Sequence, residues 1–148
     1  GSGAYQHAVA EWAPEVELTC AACPGFVEFV ERGETRSEQV HVLAERLLAP
    51  VMDAKIDALL LGCTHYPFLA RTISDVVGRD VVLVSSADET AFEVLDDLSG
   101  SALARDGDGA GRRLWYSSGD VEWFRTLGSR LLGPELDVVT PLMWPAGA

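Results

Sequence analysis

The chain has 148 residues, enough for one domain with a real core or for two small lobes that share a boundary. Hydrophobic residues make up 48%, which excludes a disordered chain, and no apolar run approaches the ~20 residues of a membrane span, so a soluble, cytoplasmic protein is expected. A net charge of −12 with scattered Lys and Arg argues against direct nucleic-acid binding, and three cysteines are too few for a secreted disulfide framework.

Ser2 is placed to cap a first helix that runs to about Trp12 and is stopped by Pro14. Val16–Cys20 reads as a short strand. Pro24 suits the first turn of a helix carrying Phe26, Val27 and Val30, with Gly33 ending it. Ser37 opens a long helix with Val40, Leu43, Leu47 and Val51 on one face, kinked or divided at Pro50. Asp57–Gly62 reads as a strand apolar on both faces, the pattern of a buried parallel sheet. A helix over Tyr66–Val77, a buried strand over Val81–Val84 and a helix over Asp88–Leu98 follow. RDGDGAG (105–111) reads as a loop, and strand Arg113–Ser117, helix Asp120–Leu132 and strand Leu136–Val139 complete the chain before a Pro-containing end.

Such alternation predicts an α/β fold with a mostly parallel sheet flanked by helices. Ligands in these folds sit beyond the carboxyl ends of the strands, where LLLGCTHYPFL (59–69) places Cys63, Thr64 and His65. Gly62 lets the backbone turn sharply and Pro67 serves the first turn of the next helix. Cys63 is then expected just before a helix N-terminus, whose partial positive charge favours thiolate over thiol. A buried structural cysteine is the competing reading. Thr64 offers a hydroxyl and an N–H to a carboxylate, or simply caps the helix. His65 is a proton donor or a satisfied structural histidine, and His7 and His41 read as surface residues. Glu31 and Glu34 read most simply as solvated charges at a helix end. Cys20 and Cys23 match the redox C-x-x-C spacing only weakly, and with no second pair or partnered histidine no zinc or other metal site is expected.

Taken together, ACPGFVEFVERGE (22–34) and LLLGCTHYPFL (59–69), with Ser2, Ala4, Tyr5, Ser86 and Ala87, resemble glutamate racemase, of the aspartate/glutamate racemase superfamily. The resemblance implies two facing α/β lobes, each giving one cysteine to a cleft, and cofactor-independent interconversion of L- and D-glutamate, which supplies D-glutamate for peptidoglycan. By position it assigns Cys63 as the second catalytic cysteine, His65 as its assistant, Glu31 as an assisting acid and Thr64 as a substrate contact. The family's Asp-Ser-Gly and Cys-Asn-Thr stretches do not occur here, so the chain resembles the second part of such an enzyme. Residues 1–84 are then expected to form the second lobe, and 85–148 to return and complete the first. The resemblance further implies a homo-oligomer, most simply a dimer, and, since some members bind DNA gyrase, a contact with gyrase. Two other readings stand beside it: a different cysteine enzyme using Cys63 and His65 as nucleophile and base, and a non-catalytic acidic partner-binding domain.

Overall fold

A computed structural model describes every residue except 1, 106, 108, 110 and 144–148. The element order is α1 (Ala4–Trp12), α2 (Phe26–Arg32), α3 (Glu38–Asp53), β1 (Ala58–Leu61), a 3-10 turn (Tyr66–Leu69), α4 (Ala70–Val77), β2 (Val82–Ser85), α5 (Ser86–Ser99), β3 (Trp115–Ser117), α6 (Val121–Leu132) and β4 (Val139–Pro141). The fold is mixed α/β with short parallel strands: β1 pairs with β2, and β3 with β4. The chain divides into two compact units, Gly1–Ser86 and Ala87–Ala148.

In the first unit the helix signals act locally as the residue types require. Ser37 caps α3 by accepting from the Val40 N–H at 3.3 Å. Gly33 ends α2 in the left-handed conformation, its N–H meeting the carbonyls of Phe29 and Val30. Pro50 lies inside α3 and does not divide it. Val40, Ala44, Leu48 and Val51 recur at helical spacing and are buried, packing α3 against α4, whose Ile73 and Val77 are buried in turn. Phe26 and Val30 of α2 and Leu69 of the 3-10 turn join this core. Its buried polar side chain, Thr72, donates to the Thr35 carbonyl at 2.7 Å, so its hydroxyl is satisfied.

Several sequence expectations are corrected. Val16–Cys20 forms no strand, and its Val16 and Leu18 are exposed, so it has no partner edge and no core to face. The helix expected from Tyr66 starts as a four-residue 3-10 turn and becomes α-helical only at Ala70. β1 and β2 are not buried on both faces: Leu60 is 49% and Val82 is 62% exposed, because only Leu61 of β1 reaches the core. The N-cap of α1 is Gly3, at φ 72°, while Ser2 accepts from the Ala4 N–H at 3.3 Å.

In the second unit Asp120 caps α6 by accepting from the Trp123 N–H at 2.8 Å. The last strand lies at Val139–Pro141 instead of starting at Leu136. Leu136 is fully buried against α6, where Gly128 leaves room for it: a β carbon on Gly128 would lie 2.5 Å from Leu136 Cδ1. Ser129 donates to the Leu136 carbonyl at 2.6 Å, taking that group away from a strand ladder. The expected loop over 105–111 and the Pro-containing end fall partly or wholly outside the described residues. Among the described residues, no helix is long and apolar enough to cross a membrane.

Candidate active site

β1 and β2 run parallel in register, with Leu61 opposite Ser85, so the chain leaves β1 at the carboxyl edge of the sheet. Gly62, Cys63, Thr64 and His65 occupy that edge. The turn is closed by the Tyr66 N–H to the Cys63 carbonyl at 3.1 Å and the Phe68 N–H to the His65 carbonyl at 3.1 Å. Pro67 lies in the first turn of the 3-10 segment, with His65 as its N-cap. Cys63 therefore precedes a 3-10 turn that runs directly into α4, and not a regular α-helical first turn.

Gly62 has a reason that the sequence reading missed. Its φ is not positive, so the turn does not demand glycine for backbone freedom. A β carbon there would instead lie 2.6 Å from the hydroxyl of Tyr5, which donates to the Gly62 carbonyl at 3.3 Å. The glycine is a gap that admits a tyrosine from α1.

The imidazole of His65 sits between two side chains. Its Nε2 is 3.7 Å from Glu31 Oε1, on α2, and its Nδ1 is 3.4 Å from Thr64 Oγ1. If Nε2 alone carries the proton, towards the carboxylate, Nδ1 accepts from the threonine hydroxyl; in the imidazolium both nitrogens donate, Nε2 to Glu31 and Nδ1 to the Thr64 oxygen. The pair is partly solvated, with the His65 and Glu31 side chains 32% and 38% exposed, so its direct worth to stability is at most about 1 kcal/mol. Its value is orientation of the ring. The fold thus brings Glu31 to His65, across a gap that no local spacing signals, while Glu34 pairs with Arg32 at 3.1 Å.

Cys63 is half-buried, Cys20 exposed and Cys23 buried. Burial pushes the Cys23 thiol up from its ordinary value. Cys20 accepts from Gln6 Nε2 at 3.4 Å. Tyr66 stacks edge-on against Phe26, with ring centroids 5.4 Å apart, and donates to the Cys23 carbonyl at 3.3 Å. Burial, then the neighbouring Cys23 and Cys63, hold its hydroxyl above the usual tyrosine range. His7 is exposed and His41 lies 3.6 Å from Glu45, apart from this group. Among the described residues, no three His, Cys, Asp or Glu side chains are grouped to hold a metal ion.

No family model matches the chain. Among curated proteins it is 50% identical over 142 residues to a glutamate racemase of Acidothermus cellulolyticus, covering 95% of this chain and 54% of that one. It is 48% identical over 147 residues to the glutamate racemase of Mycobacterium ulcerans, covering 99% of this chain and 54% of the other. The structure superposes on a glutamate racemase from Bacillus anthracis with a TM-score of 0.88 at 30% identity, covering 97% of this chain and 53% of that one. A glutamate racemase from Francisella tularensis, solved with D-glutamate, gives 0.85 at 25% identity, with 96% of this chain and 53% of that one covered. The chain spans about half the length of the curated relatives it matches, and it resembles their C-terminal part along nearly its whole length.

Proposed function

We propose that this chain carries one of the two proton-transferring thiols of a glutamate racemase, with Cys63 as the reactive group. The observation that carries the reading is the convergence of Glu31, Thr64 and His65 at the carboxyl edge of β1 beside a half-buried thiol. Inverting a Cα centre needs a base on one face and an acid on the other. In one direction the Cys63 thiolate takes the Cα proton of L-glutamate, becoming a thiol and leaving a carbanion delocalised into the carboxylate. A thiol on the opposite face then returns a proton to Cα and becomes a thiolate. The hydroxyl and N–H of Thr64 face the substrate carboxylate, where charge develops, and His65, oriented by Glu31, supports the charge change at Cys63. The reaction needs no cofactor in this scheme.

Cys20 and Cys23 do not supply the second thiol in this reading: Cys23 is buried, and Cys20 is tied to Gln6 of α1. The opposite thiol belongs to a facing lobe, with residues 1–84 as the lobe of Cys63 and 85–148 returning to the other. Glutamate is the small-molecule substrate, in keeping with the D-glutamate held by the Francisella relative. A homodimer and a contact with DNA gyrase rest on the resemblance alone.

The test is the optical rotation of L-glutamate incubated with the chain alone, and with the chain fused behind the N-terminal half of a curated relative. The chain alone should leave the rotation unchanged, and the fusion should racemise until Cys63→Ala abolishes it. Undiminished racemisation by the Cys63→Ala fusion removes Cys63 from the chemistry. Racemisation by the short chain, lost with Cys63→Ala, overturns the division of the two thiols between lobes.

A further inference from the structure

We infer that Tyr5 is a positioning residue for Cys63, its hydroxyl fixing the peptide group from which the reactive cysteine springs; this rests on the reading of Cys63 as the proton-moving thiol. The hydroxyl donates to the Gly62 carbonyl at 3.3 Å. That oxygen and the N–H of Cys63 belong to one planar unit, so holding the oxygen sets the plane in which the Cys63 Cα begins. The following peptide group is held as well, because the Cys63 carbonyl accepts from the Tyr66 N–H at 3.1 Å. Cys63 therefore stands between two peptide groups with defined orientations, one held by α1 and the other by its own turn.

The packing is specific to this pairing. A β carbon on Gly62 would come within 2.6 Å of the Tyr5 hydroxyl and 3.1 Å of Cζ, so glycine and tyrosine are complementary. Helix α1 buries none of its residues. Among the described residues, its side-chain hydrogen bonds to the rest of the unit are Tyr5 to Gly62 and Gln6 to Cys20. An exposed tyrosine that contributes no core burial and ends on the carbonyl next to the thiol is placed for orientation. At 3.3 Å the approach is longer than the ~2.5–3.0 Å of an ordinary hydroxyl hydrogen bond, so the bond is a weak one and its loss should free the turn by about twofold to fivefold in population.

The experiment follows iodoacetamide alkylation of each cysteine by peptide mass spectrometry, across a pH series, in the parent chain, Tyr5→Phe and Gln6→Ala. At the high-pH plateau every accessible thiol is ionised, so the rate reports access and orientation alone. Tyr5→Phe should raise the Cys63 plateau by about twofold to fivefold, because the released turn exposes a half-buried thiol, and leave buried Cys23 as it was. Gln6→Ala, which loosens α1 at its other contact, should leave the Cys63 plateau unchanged. A Cys63 plateau at or below the parent's in Tyr5→Phe overturns the inference, whether or not the melting temperature falls. An equal rise in Gln6→Ala overturns it too, since general loosening of α1 would then suffice. Failure of racemisation would leave this result standing, and an unmoved Cys63 plateau would leave the racemase reading standing.

Discussion

Gly62→Ala in two backgrounds probes the contact between α1 and the turn that carries Cys63. In the parent, the added β carbon meets the Tyr5 hydroxyl at 2.6 Å and Cζ at 3.1 Å, so one of the two must move. Tyr5 is 50% exposed and can swing into solvent, so the cost is the lost hydrogen bond, about 0.5–1.5 kcal/mol, and no core is overpacked. Against it stands a gain of about 0.4–1 kcal/mol, because alanine narrows the unfolded ensemble at a position whose native φ is not positive. The two nearly offset, and Gly62→Ala should change the parent's stability by less than about 1 kcal/mol, towards loss. In a Tyr5→Ala background only the gain remains, and the same substitution should stabilise by about 0.4–1 kcal/mol. Urea denaturation of the four chains, followed by far-UV circular dichroism with the slopes compared, measures the cycle. Equal effects of Gly62→Ala in both backgrounds, within about 0.3 kcal/mol, would refute the claim that the glycine is there for the tyrosine.

Two more predictions concern the groups around this turn. Burial raises the Cys23 thiol, and burial with the neighbouring thiols raises the Tyr66 hydroxyl, so the folded chain holds both protons more tightly than the unfolded one. Their contribution is complete below the ordinary values, about 8.5 and about 10, and is lost as pH rises through the raised ones; thermal melts should therefore fall from about pH 8.5 upward, less steeply in Cys23→Ala. Identical alkaline slopes in parent and variant would refute this. In the fused, complete enzyme, Glu31→Gln and His65→Asn should lower kcat by about tenfold or more while raising KM less. An unchanged kcat in both directions of racemisation would return His65 to a structural role.

What could be read from the sequence follows from which forces are local. The Ser37 cap and the Gly33 terminator are decided within a few residues, and α2 and α3 emerge where those signals lie; the expected face of Val40, Leu43, Leu47 and Val51 is rotated, with Ala44 and Leu48 buried beside Val40 and Val51 and with Leu43 and Leu47 only partly covered. Val16–Cys20 misleads because an alternating apolar pattern needs an edge to pair with, and only tertiary structure supplies one. Leu136 misleads for a related reason: its apolar neighbourhood suggests a strand, but the space above Gly128 takes the side chain and Ser129 takes the carbonyl. At the site, Cys63, Thr64 and His65 announce themselves by adjacency. Glu31 does not, since its approach to His65 runs from α2 to the turn after β1, and only the family resemblance singles it out. Tyr5 stands out in the sequence only through the family resemblance, and its contact with Gly62 is invisible there because a missing β carbon leaves no trace except in three dimensions.

The parallel register of β1 and β2 has an evolutionary consequence. Parallel neighbours cannot be joined by a tight hairpin; the chain must leave one edge and travel back to the other. Here that return path, from Gly62 to Val81, is also the stretch that displays Cys63, Thr64 and His65, and its α4 supplies Thr72, Ile73 and Val77 to the core. Architecture and chemistry are therefore inherited together. An insertion or deletion in this segment would alter the reach of the connection and the placement of Cys63 at once, so its length is under a tighter physical constraint than its exposed side chains.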